Sequence, residues 1–113
     1  MKFEAEVISE EILPAIRSIL ASKLQQEYGL MQKEIAYKLD LTQPAVSQYL
    51  SGTRADQKVI NKIKNDPQIN ILLNDAAANI AKDEDYREEL SSALKTIKDK
   101  GILKEKFEDT ERL

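Results

Sequence analysis

Apolar residues along this chain recur mainly at three- and four-residue intervals, the spacing that places them on one face of an α-helix. Ile12, Leu13, Ile16, Ile19, Leu20 and Leu24 form the first such stripe, which starts behind Ser9 as a helix cap and ends near Gly29. Pro14 lies close enough to the start of that helix to be tolerated there, with a bend in the opening turn. A short helix from about Gln32 to Leu39 turns Ile35, Ala36 and Leu39 inward. A third begins after Thr42 and carries Val46, Tyr49 and Leu50 until Gly52 stops it. From about Asp56, the triplet Val59, Ile60 and Ile63 marks a fourth helix, which must end before Pro67 because the residue preceding a proline resists helical dihedrals. Ile69, Leu72, Leu73, Ala76, Ala77 and Ile80 then form a broad stripe whose alanines permit close approach of another helix. Past the acidic run Asp83-Glu84-Asp85, Tyr86, Leu90, Leu94 and Ile97 make a sixth helix, which Gly101 terminates.

The two ends read differently. Phe3, Ala5 and Val7 alternate with Lys2, Glu4 and Glu6, the period of a short extended strap. Beyond Gly101, Ile102, Leu103 and Phe107 are too few to assign. The expected fold class is all-α: a compact helical bundle with a helix-turn-helix and additional C-terminal helices for packing or dimerisation. One helical domain is expected over residues 1–113, divided into a helix-turn-helix core over 10–66 and C-terminal helices over 67–113.

Composition narrows the chemistry. At 113 residues the chain suffices for one modest core, and 42% apolar with 33% charged residues is neither a disordered nor a membrane-spanning composition. No apolar run approaches about 18 residues and no basic-then-apolar leader opens the chain, so the expectation is a cytoplasmic protein with no membrane association. Cys and His are both absent. That removes disulfides, Cys/His zinc sites, thiol nucleophiles and Ser-His-Asp triads, so no enzyme activity is expected and no catalytic, cofactor or metal residues are assigned. The net charge is −3, unevenly placed: residues 1–31 carry −2, residues 32–64 carry +3 and residues 65–113 carry −4. A basic middle between acidic flanks suits one face meeting phosphate and the remainder meeting water or protein.

The most informative stretch runs from Gln32 to Gly52 and reads as helix, tight turn, helix. Ala36 is small where two helices would cross, and Ile35, Leu39, Leu41, Val46 and Leu50 would lock them together. Thr42 is placed to cap the second helix. Gln43, Ser47, Gln48 and Ser51 then lie on or near its outer face, where Gln can pair with adenine and Ser can bond a base or a phosphate. Lys33, Lys38, Arg54, Lys58, Lys62 and Lys64 cluster around the motif and could contact phosphates or simply keep the surface soluble. Tyr49 suits packing, and Tyr37 is open between packing and a phosphate contact. The acidic group from Asp83 to Glu89 has ligand chemistry for magnesium or calcium but lacks the spaced loop and glycine of a calcium-binding hand, so it reads as a solvated helix start.

Leu13-Pro-Ala-Ile-Arg17, Tyr28-Gly-Leu30, Gln32 through Ala36, and Gln43-Pro-Ala-Val-Ser-Gln-Tyr-Leu-Ser-Gly52 followed by Thr53-Arg54 resemble the helix-turn-helix of phage-repressor-like regulators, the xenobiotic-response-element family. The likeness covers roughly residues 10–55 and is greatest to small archaeal members, which also occur fused ahead of thiamine-phosphate-synthase-like domains. It departs from the pattern at Asp40, where a turn glycine is usual, and at Pro44, which fits a first helical turn but removes a donor. Cysteines of some relatives are absent, so metal or redox sensing does not carry over. The resemblance implies a sequence-specific transcriptional regulator, a homodimer whose recognition helix, about 43–51, enters the major groove of double-stranded DNA at a palindromic operator. Gln32, Lys33, Thr42, Gln43, Pro44, Ser47, Gln48, Ser51, Arg54 and Lys58 would be its DNA-binding residues, with dimerisation on 67–100. The sequence names no small-molecule effector. The alternative is a protein-interaction module that keeps the helix-turn-helix shape without using it on DNA, such as an antitoxin-like partner.

Overall fold

In the computed structural model, which describes residues 2–111, the first apolar stripe becomes the axis on which the other helices pack. The elements in order are β1 (Lys2–Phe3), α1 (Glu4–Val7), a π-helical stretch (Ile8–Ile12), α2 (Leu13–Tyr28), α3 (Gln32–Leu39), α4 (Gln43–Ser51), α5 (Gln57–Lys64), α6 (Pro67–Ala81), α7 (Arg87–Asp99), α8 (Lys104–Phe107) and β2 (Thr110–Glu111). The fold is thus mostly helical, with one two-stranded ladder joining the ends. Helix α2 touches α3, α4, α5 and α6, and its Ala15, Ile16, Ile19, Leu20, Ala21 and Leu24 are all buried. Apolar residues therefore occupy several sides of α2, as expected for a helix surrounded by others. A single apolar cluster continues from Ile12 through Ile35, Val46, Ile63, Leu73 and Ile97 to Leu103. Each such fully buried side chain contributes about 1.5–3 kcal/mol relative to exposure.

The N-terminal segment differs from the extended strap that its alternation predicts. Only Lys2–Phe3 is extended, and helix begins at Glu4. The Glu6 carboxylate accepts from the Phe3 amide at 3.1 Å, and Val7 is buried, so the residues after Phe3 gain a capped turn and a core contact. Ser9 is no cap. It sits inside the helical run, and its hydroxyl donates to the Glu6 carbonyl at 3.2 Å. The backbone stays helical into α2 by way of the π-helical stretch, in which the Leu13 amide reaches back to the Ile8 carbonyl. A proline lacks the amide for an ordinary helical bond and crowds the carbonyl four residues earlier. The wider turn just before Pro14 accommodates both effects.

At the other end the unassigned tail is part of the core. Leu103 is buried, α8 follows, and β2 pairs in parallel with β1 through Lys2 with Thr110 and Phe3 with Glu111. Ion pairs hold this region to the body: Lys98 to Glu4 at 2.9 Å, Lys100 to Asp66 at 3.0 Å, Lys62 to Glu105 at 2.6 Å and Lys106 to Glu11 at 3.4 Å. The Lys62 ammonium lowers the pKa of Glu105. The Asp66 carboxyl lies below its ordinary value because it accepts from the Ile69 amide and, secondarily, from Lys100.

Helix α6 begins at Pro67 behind the Asp66 cap, and its Ile69, Leu73, Ala76, Ala77 and Ile80 are buried against α2 and α7. Most of the stripe on which a dimer surface over 67–100 was expected is thus packed within the chain, with Leu72 half-buried. Ile71, 60% exposed, is the large apolar side chain of that region left in solvent among the described residues. The acidic group from Asp83 to Glu89 is spent on structure: Asp83 adopts a left-handed conformation and pairs with Lys38 at 3.0 Å, while Asp85 holds Arg87. Arg87 and its own backbone amide lower the Asp85 pKa to about 2. No helix among the described residues is long and apolar enough to cross a membrane.

Candidate functional site

Helices α3 and α4 pack on each other and on α2, and the turn between them follows from local chemistry. The Glu34 carboxylate accepts from the Met31 amide at 3.1 Å and so starts α3. Asp40 ends it in the left-handed region, φ 55° and ψ 48°, which Asp tolerates better than most residues. The Leu41 amide then returns to the Ala36 carbonyl at 2.8 Å, a bond that closes the helix end. Thr42 Oγ1 accepts from the Ala45 amide at 3.2 Å, Pro44 occupies the first turn where its missing amide costs nothing, and α4 begins. Gly52, φ 80°, stops it.

Two contacts fix the orientation of α4. Val46 and Tyr49 are buried, and the Ser18 hydroxyl of α2 donates to the Tyr49 carbonyl at 2.8 Å. The opposite side of α4 leaves Gln43, Ser47, Gln48 and Ser51 exposed. Arg54 folds back onto this side: its Nη1 donates to Gln48 Oε1 at 3.0 Å, and the guanidinium lies 5.5 Å from the centre of the Tyr49 ring. Ser51 Oγ donates to the Gln48 carbonyl at 3.1 Å and lies 3.1 Å from Thr53 Oγ1. Behind Ser51 and Gly52, a cleft bordered by Ser18, Ser22, Gln57 and Lys64 separates α4 from α2 and α5.

The structure thus gathers Ser51 and Arg54 around Gln48, at its carbonyl and its side chain respectively, and adds Thr53, which the pattern of polar helix positions missed because it lies after Gly52. Gln43, Pro44 and Ser47 share the exposed side of α4, and the Thr42 hydroxyl is committed to its cap. Lys58 stands elsewhere, at a second cleft with Val59, Lys62, Leu103 and Glu105. Gln32 and Lys33 open α3, half-buried and exposed respectively, with no side-chain hydrogen bond to the α4 cluster. Of the surrounding lysines, Lys38 and Lys62 are engaged by Asp83 and Glu105. Tyr37, 85% exposed, is not a packing residue, whereas Tyr49 is.

No family model matches the chain, and no solved structure matches it. A stretch of 55 residues is 44% identical to the ferredoxin-type protein FwdE of Methanocaldococcus jannaschii. The likeness is to a ferredoxin-type protein. It covers 49% of this chain and 37% of that relative, so the chain spans little more than a third of the relative's length.

This match corrects the assignment to phage-repressor-like, xenobiotic-response-element regulators, and with it the function of a DNA-binding transcriptional regulator. Two helices joined by a tight turn are a packing solution, and the same arrangement hosts unrelated functions. The α3–turn–α4 geometry therefore stands as structure without the role that the resemblance attached to it.

A ferredoxin-type relative raises the question whether these residues can hold an iron–sulfur cluster. Such clusters are bound by Cys thiolates, with His replacing two of them in one kind. The chain contains neither residue, and among the described residues no three acidic side chains gather as a metal site. The residues present do not fit a cluster.

Proposed function

We propose that this chain is a cluster-free, protein-binding helical domain that works beside a ferredoxin-type protein, contributing contact rather than redox chemistry or catalysis. The observation that carries the reading is the 44% identity over 55 residues to a ferredoxin-type protein, in a chain with no Cys and no His. The Cys and His residues that hold iron–sulfur clusters are missing from this chain. What this chain itself offers is then a helical scaffold and the surface it presents. The reading also places the protein in the cytoplasm, as its composition suggests.

The test has two parts. The purified protein is incubated anaerobically with ferrous iron and sulfide, then desalted and analysed for both; the expected result is no retained cluster and no visible charge-transfer absorption. It is then mixed with the purified M. jannaschii ferredoxin-type protein and sedimented. A faster-sedimenting complex of the two is expected. Stable cluster incorporation, or independent sedimentation at all concentrations, would sink the proposal.

A further inference from the structure

Most cations on this molecule are matched by carboxylates: Lys2, Lys23, Lys38, Lys62, Arg87, Lys95, Lys98, Lys100 and Lys106 each have an acidic oxygen within 4.0 Å. Arg54, like Arg17, Lys33, Lys58, Lys64, Lys82 and Lys104, has no such partner among the described residues, and no Asp or Glu occurs between Leu41 and Ala55. Yet its side chain is held. Gln48 Oε1 receives one of its five N–H donors at 3.0 Å, and the Tyr49 ring lies 5.5 Å away. The remaining donors form a planar fork that matches a carboxylate, presented at low entropic cost because the side chain is already positioned. The Ser51 and Thr53 hydroxyls both donate to the carbonyl of Gln48, the residue whose side chain holds Arg54, and an aromatic–arginine pair is the composition of an interface anchor.

We propose that Arg54, braced by Gln48 and Tyr49, is the anchor of a docking face on α4 that receives a carboxylate from an acidic protein surface. This rests on the protein-binding reading above and names its site. Charge complementarity selects the occupant. A braced arginine in a stretch of sequence without carboxylates, residues 41–55, suits a short-range contact with a single carboxylate.

The experiment is an NMR titration of the ¹⁵N-labelled protein with an octaglutamate peptide and, separately, with a 12-base-pair duplex, each in 50 mM salt. The peptide is expected to shift the Arg54 Nε–Hε signal and the Gln48 and Ser51 amides. Arg54→Gln should weaken peptide binding by about tenfold, the loss of one charge-assisted pair, and Arg54→Lys should recover only part of it. Lys95→Gln on α7 should change nothing. Unmoved Arg54 resonances with the peptide, or tighter duplex binding through the same signals, overturns the proposal. The same variants are then mixed with the ferredoxin-type protein. If wild type binds and Arg54→Gln binds equally well, the docking face is wrong and the broader function stands. If wild type fails to bind while the peptide still shifts Arg54, the broader function is wrong and the acidic-surface site stands.

Discussion

Ser18 joins the central helix to the helix that bears the candidate face, and its removal has a calculable consequence. The hydroxyl is 8% exposed and donates to the Tyr49 carbonyl at 2.8 Å, across 31 residues of sequence. Ser18→Ala deletes that bond, whose net worth is about 0.5–1.5 kcal/mol. The Tyr49 carbonyl still receives the Gly52 amide at 3.3 Å, so it is not orphaned, and the cost stays within that range. Alanine returns up to about 0.5 kcal/mol of helix propensity, leaving a net loss of roughly 0–1 kcal/mol. Ser22 supplies the control. It lies one turn further along α2, and among the described residues its hydroxyl makes no side-chain hydrogen bond, so Ser22→Ala shows the propensity gain alone. The two variants should therefore differ by about 1 kcal/mol, which for an unfolding entropy of roughly 2.1 cal/mol/K per residue separates their Tm values by about 4 °C. Urea unfolding followed by far-UV circular dichroism measures this, with a common m-value required for the comparison. Equal midpoints for the two variants would refute the claim that this bond fastens α4 to α2.

Three further outcomes are expected. Asp40→Gly should match or exceed wild-type stability, because glycine adopts the left-handed conformation without steric cost, while Asp40→Val should fall below Asp40→Gly by about 1–2 kcal/mol in the same unfolding assay. Leu103→Ala should cost about 2–5 kcal/mol, the range for emptying a buried leucine site, and a loss under half a unit by calorimetry would show that the tail lies off the core. Asp66 and Asp85 have lowered pKa values when folded, so their stabilisation is complete above the ordinary carboxylate pKa and is lost as pH falls through the folded values. An acid titration of stability should accordingly decline below about pH 4 and become shallower, with the Asp85 part remaining, in Asp66→Asn; an unchanged slope would contradict the assignment.

The middle of this molecule was legible in its sequence because its determinants are local. Gln32 to Leu39 is a helix with the expected bounds, Thr42 caps the next, and Asp40 and Gly52 take the left-handed conformations that their residue types favour. The ends were not legible, for different reasons. Phe3, Ala5 and Val7 alternate as a strand would, but over so few residues the period does not discriminate, and the burial of Val7 together with Glu6 capping decides for helix. Leu103 carries no pattern of its own and is placed by tertiary packing and by the pairing of β2 with β1. The broad α6 stripe was visible, but its packing against α2 and α7 depended on where α7 returned. Function was the least legible. Gln43, Ser47 and Gln48 were correctly placed outside, but exposed glutamines and serines suit many partners, and the two-helix turn specifies packing before it specifies a ligand. Arg54 could be seen as a cation near the motif, but its bracing by Gln48 and Tyr49 depends on the side chain folding back after Gly52.

The central claim is that this chain acts through protein contact beside a ferredoxin-type protein and carries no cluster itself. Isothermal titration calorimetry of the purified chain against the M. jannaschii ferredoxin-type protein tests it most directly, with a random duplex DNA pool titrated in parallel. The account predicts saturable heat with a defined stoichiometry for the protein and none for the DNA. No heat with the protein, together with saturable, salt-sensitive binding to DNA, would contradict it.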